Sequence, residues 1–95
     1  MDDMKFTKGN FHEGILESVL DIGDSEVATT ATYKGNDRWI VMVKVNGERV
    51  HVNKFGGYSD TLMASRDPKM AAQQVIGRMY EAEKFAIFST ITKGE

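Results

Sequence analysis

Residues 38–54 read RWIVMVKVNGERVHVNK, two alternating runs joined by Asn46-Gly47. Trp39, Val41, Val43 and Val45 occupy every second position, with Arg38, Ile40, Met42 and Lys44 between them. That period of two is the signature of a β-strand with one buried face. Asn46-Gly47 then interrupts the run, and apolar alternation resumes at Val50 and Val52. Both turn residues tolerate positive φ, which makes the pair a preferred type I′ hairpin connection. A two-residue turn sets the register, placing Val45 opposite Glu48, Val43 opposite Val50, Val41 opposite Val52 and Trp39 opposite Lys54.

Outward from this hairpin, Glu26–Lys34 is rich in threonine and valine and reads as a preceding strand. A turn at Gly35-Asn36 would pair Tyr33 with Arg38 and Thr29 with Met42. The resulting sheet has two unlike faces. One carries Trp39, Val41, Val43, Val45, Val50, Val52, Ala28 and Thr30 and is the expected core. The other carries Tyr33, Arg38, Ile40, Met42, Lys44, Arg49, His51, Asn53 and Phe55, a mixture of cations with aromatic and aliphatic groups.

On the C-terminal side, Gly56-Gly57 opens a loop over residues 56–66 that contains Tyr58. Asp67-Pro68 supplies an N-cap and a proline at the first helical position, a strong helix start. The helix is expected to run to about Glu83 with Ala72, Val75, Ile76 and Met79 facing inward. Phe85–Thr92 (FAIFSTIT) has strand composition. On the N-terminal side, Phe11, Ile15, Val19 and Ile22 recur at spacings of four, four and three, with Leu16 and Leu20 widening the stripe. This spacing predicts an amphipathic helix over residues 10–22, capped by Asn10 with Glu13 and ended by Gly23. The expected architecture is α+β, an antiparallel three- to four-stranded sheet with helices on its valine face, in the order α-β-β-β-α-β.

Ninety-five residues correspond to a single domain, 1–95. No cysteine is present, which excludes disulfide staples and thiolate metal sites and favours a reducing, cytoplasmic setting. No run approaches the ~20 apolar residues of a membrane span, and Met1-Asp2-Asp3-Met4-Lys5 lacks the basic-then-apolar order of a signal peptide. The net charge of −2 is unevenly distributed. Residues 1–26 hold seven acids against Lys5 and Lys8, whereas residues 27–95 hold ten bases against seven acids. An acidic N-terminal segment thus precedes a mildly basic body, an arrangement suited to a charged partner.

Catalytic constellations are sparse. None of Ser18, Ser25, Ser59, Ser65 and Ser89 lies in a G-x-S-x-G elbow. His12 and His51 form no metal-binding pattern. Gly56-Gly57 matches neither a Walker A loop nor a dinucleotide fingerprint. Asp21 with Asp24, and Glu13 with Glu17, have the spacing to share a cation on a helix, but a solvated helix face is the better explanation of both pairs. Met42, Met63, Met70 and Met79 suit either core gaps or an adaptable contact surface. No enzyme activity, metal or cofactor is expected.

The segment Arg38–Lys54 followed by Asp67–Lys84 (DPKMAAQQVIGRMYEAEK) resembles the central hairpin and second helix of the double-stranded RNA-binding domain. The resemblance implies an α-β-β-β-α order and phosphate contacts from the start of that helix, where Lys69 stands beside Asp67. The acidic first helix departs from the family. The layout of Trp39–Thr90 also looks like that of small phage-encoded inhibitors, including anti-CRISPR proteins. Together these readings lead to a binding protein. The expected partner is a protein, with a second copy of the chain or a nucleic acid as alternatives, and no membrane. The expected contact residues are Tyr33, Arg38, Met42, Lys44, Arg49, His51, Phe55 and Lys69.

Overall fold

A computed structural model describes residues 14–93, with side chains through Ser89. Five strands precede one helix: β1 (Ile15–Ile22), β2 (Ser25–Gly35), β3 (Arg38–Val45), β4 (Glu48–Val50), β5 (Asp60–Met63) and α1 (Pro68–Lys93). All strand pairs are antiparallel, and the order is β1-β2-β3-β4. β4 and β5 share the far edge of β3, β4 along Val43–Val45 and β5 along Arg38–Val41. α1 lies over β2 and β3. The domain is therefore α+β with an antiparallel sheet, but the order β-β-β-β-β-α replaces the expected α-β-β-β-α-β.

The first correction concerns residues 15–22, which form a strand rather than a helix. Leu16, Ser18 and Leu20 are buried on its inner face, and Ile15, Glu17, Val19 and Asp21 lie on its outer face. With apolar residues on both faces and a serine inside, the alternation is obscured and a helical stripe emerges by coincidence. Gly14, which is costly in a helix, has a specific use here. Its φ is +87°, its carbonyl accepts the Tyr33 N–H at 2.7 Å, and a Cβ there would lie 3.2 Å from the Tyr33 Cβ. Gly23 does not cap a helix; with φ +59° it turns β1 into β2, pairing Ile22 with Ser25. The expected cap residues Asn10 and Glu13 lie outside the described residues.

The Asn46-Gly47 turn forms as expected, with φ of +53° and +86°, and pairs Val45 with Glu48 and Val43 with Val50. The hairpin then ends. Val41 faces Asp60 and Trp39 faces Leu62, not Val52 and Lys54. Asn53 is the cause, because its Oδ1 accepts the N–H groups of Phe55 and Gly57 at 3.0 Å each and curls the chain away. The loop brings Tyr58 back beneath His51, and β5 takes over the vacated edge.

The β2–β3 turn falls at Asn36-Asp37, both at positive φ, one residue later than expected. An irregularity between Tyr33 and Gly35 absorbs the difference. Thr29 consequently pairs with Val43 and Tyr33 with Trp39. The slip exchanges the faces of β2: Val27, Thr29 and Ala31 enter the core, and Ala28 and Thr30 go to the outer face.

α1 starts at Pro68 as expected, with the Asp67 carbonyl accepting the Ala71 N–H at 2.8 Å. It does not stop at Glu83, so the expected strand at 85–92 is helical. Its buried stripe is Ala71, Val75, Met79, Ala82 and Ala86; Val75 and Met79 face inward as expected, whereas Ala72 and Ile76 are only half-buried. These mostly small residues let the helix backbone approach Trp39, Val41 and Val43, which are almost wholly buried. The core also includes Glu83, only 1% exposed, whose Oε2 accepts the Thr29 hydroxyl at 3.1 Å.

Candidate binding surface

Because α1 is the only described helix and covers one face of the sheet, no described element packs on the other. Strand parity determines which side chains populate that outer face. The register aligns them in rows across the strands. Ile15, Thr32, Ile40 and Thr61 form one row, Glu17, Thr30 and Met42 the next, and Val19, Ala28, Lys44 and Arg49 the third. Asp21 and Glu26 close one end, and Arg38 beside Met63 closes the other.

The face is electrostatically divided. Glu17, Asp21 and Glu26 lie on the β1–β2 side, Arg38, Lys44 and Arg49 lie on the β3–β4 side, and Lys34 at the end of β2 adds a cation beside Arg38. Between them runs a neutral band of Ala28, Thr30, Thr32, Ile40 and Met42, all half-buried by their sheet neighbours. Val19 at 41% and Met63 at 66% exposure add apolar surface at the two margins. Two open depressions occur on the basic side. One, of about 660 Å³, is lined by Met42, Lys44, Gly47, Glu48, Arg49 and Tyr58. The other, of about 310 Å³, is lined by Lys34, Arg38, Ile40 and Thr61.

The structure brings together some of the expected contact residues and separates others. Arg38, Met42, Lys44 and Arg49 share the outer face, with Arg49 Nη1 3.8 Å from Met42 Sδ. His51 follows β4, and its ring lies 4.4 Å from that of Tyr58, which borders the larger depression. Tyr33 leaves the set, because its pairing with Trp39 puts it on the helix side, with ring centroids 5.2 Å apart. Its hydroxyl accepts the Asp37 N–H at 3.2 Å and braces the turn. Phe55 is 86% exposed but sits in the 51–59 loop, beneath the Lys54 ammonium. Lys69 belongs to the first turn of α1, in the other layer. The acids of β1 were not expected here, since a helical reading places them on a helix flank. The alternation Ile15, Glu17, Val19, Asp21 is the signal that locates them.

Among the described residues, no three His, Asp or Glu side chains are grouped to hold a metal ion, and no helix is long and apolar enough to cross a membrane. Comparison with models of known protein families, with curated proteins and with solved structures finds no match. The resemblance to the double-stranded RNA-binding domain also fails on the fold, because the segment that should supply the first helix is β1.

Proposed function

We propose that this chain is a binding domain, acting as an inhibitor or accessory protein that engages a protein partner through the outer face of its sheet. The observation that carries the reading is a half-apolar, charge-divided sheet face over which no described element packs. Large exposed surfaces of this mixed kind are where partners dock, and arginine and methionine are enriched at such contacts. Arg38, Met42, Lys44 and Arg49 form the centre of the contact, with His51 and Tyr58 at its rim. A cysteine-free chain suits a reducing compartment, which supports taking the interaction as cytoplasmic. No catalytic step is assigned.

A nucleic-acid reading of the same face is disfavoured by Glu17, Asp21 and Glu26. They would face the phosphates together with the cations, whereas polyanion affinity grows with net positive charge. The double substitution Arg38→Glu with Met42→Glu tests the contact. Both side chains lie outside the core, so the variant should keep its fold while losing the protein captured by the wild type from nuclease-treated lysate. Undiminished capture by the folded variant sinks the reading. Capture that disappears on nuclease treatment moves nucleic acid ahead of protein.

A further inference from the structure

We infer that the outer sheet face docks onto a second copy of itself, through a two-fold axis running along the strands between β2 and β3. The inference rests on the binding reading above and names its partner. Its basis is the complementarity of the charge pattern under one specific rotation. A two-fold axis parallel to the strands keeps each row at its own level and exchanges left for right. Each half of the row Val19, Ala28, Lys44, Arg49 then meets the other half of the same row. Arg49 of one copy lands over Val19 of the other, between Glu17 and Asp21 on the same strand face. Lys44 lands over Ala28, next to Glu26. The neutral band meets itself as Thr30 over Met42 and Thr32 over Ile40. The same rotation brings Arg38 near Lys34 at the end of the patch, one like-charge contact, whereas a two-fold axis across the strands stacks acids on acids and bases on bases throughout, so the pattern favours the axis along the strands. Isologous pairing of this kind is the commonest assembly of soluble chains, and sheets packed face to face at a distance of ~10 Å, aligned within about 30°, are a standard core arrangement.

The size of the patch sets the strength expected. Four strands at ~4.8 Å and seven residues at ~3.4 Å give about 19 by 24 Å per copy. Two such patches approach the ~1,000 Å² of total buried surface at the lower end of specific interfaces. The association should therefore be weak, with a Kd in the micromolar range, and weaken with salt because much of the pairing is between exposed charges.

The test uses sedimentation velocity of the wild type from about 5 to 500 µM, a range bracketing a micromolar Kd, with two charge-reversed variants. Lys44→Glu with Arg49→Glu puts acids on both sides of the row Val19, Ala28, Lys44, Arg49, leaving Arg38 at the end of the face, and Glu17→Lys with Asp21→Lys puts bases on both sides of it. The expected result is a concentration-dependent wild-type dimer, two monomeric variants, and a dimer restored when the variants are mixed in equal amounts. Far-UV dichroism checks that each variant is folded. If a reversal unfolds the chain, the milder Lys44→Gln with Arg49→Gln replaces it and should weaken the dimer at least tenfold. A wild type that stays monomeric across the range overturns the inference, as does a mixture of folded variants that stays monomeric. If the monomeric wild type still captures a protein and Arg38→Glu with Met42→Glu loses it, the binding reading stands and only self-association falls. If neither a second copy nor a captured protein depends on this face, both fall. Salt-sensitive retention of an oligonucleotide by a monomeric wild type also overturns self-association.

Discussion

Thr29 and Ser18 face each other across β1 and β2 on the buried side, and both are fully buried. Their hydroxyls have opposite consequences. That of Thr29 donates to the Glu83 carboxylate, while that of Ser18 has no hydrogen-bond partner among the described residues. Removing a donor from a buried acceptor costs more than removing an unsatisfied hydroxyl. Thr29→Val should thus lower the unfolding free energy by about 1–3 kcal/mol, seen as a lower urea midpoint at unchanged slope. Ser18→Ala should leave that midpoint unchanged or raise it. At Gly47 the constraint is conformational. A Cβ would meet nothing within 4 Å, yet φ is +86°. Gly47→Val should therefore destabilise by about 1 kcal/mol or more through the forbidden backbone region alone, again read from the urea midpoint.

At the scale of elements, the hairpin at 46–47 and the start of α1 were legible because each depends on a local rule: a turn pair with positive φ, and a proline where no N–H is needed. Where α1 ends was not legible. The Phe85–Thr92 composition favours a strand, but no turn signal separates it from the helix before it, and the stripe of Ala71, Val75, Met79, Ala82 and Ala86 continues into it. Burying that stripe on β2 and β3 outweighs propensities of a few tenths of a kcal/mol per residue. β1 was misread for a related reason, since its outer-face Ile15 and Val19 imitate a helical repeat. Gly77 lies in mid-helix, and a Cβ there would meet nothing within 4 Å. Gly77→Ala should stabilise the domain by about 0.5–1 kcal/mol, and the rise in Tm should be a few degrees.

At the scale of the whole molecule, the two sheet faces should respond differently to substitution. Met79, which is wholly buried against the sheet, anchors the helical layer. Met79→Ala should cost about 2–5 kcal/mol, a large share of the 5–15 kcal/mol available to a domain of this kind, and a denaturant titration would reveal it. Replacing outer-face side chains should change association far more than stability. The strand character of residues 38–45, the 46–47 turn and the start of α1 were determined by the sequence itself, because period, turn chemistry and capping act within a few residues. The outer-face grouping of Arg38, Met42, Lys44 and Arg49 follows from that local pattern as well. The faces of β2, the strand identity of β1, the seating of β5 beside β3 and the length of α1 were decided by the tertiary structure. Each depends on which distant partner a segment buries, and a shift of one residue in the turn at Asn36-Asp37 is enough to exchange core for surface along a whole strand. The acids of β1 face the same side as the bases of β3 and β4 for that reason. The charge division that defines the candidate surface therefore exists only in the folded sheet.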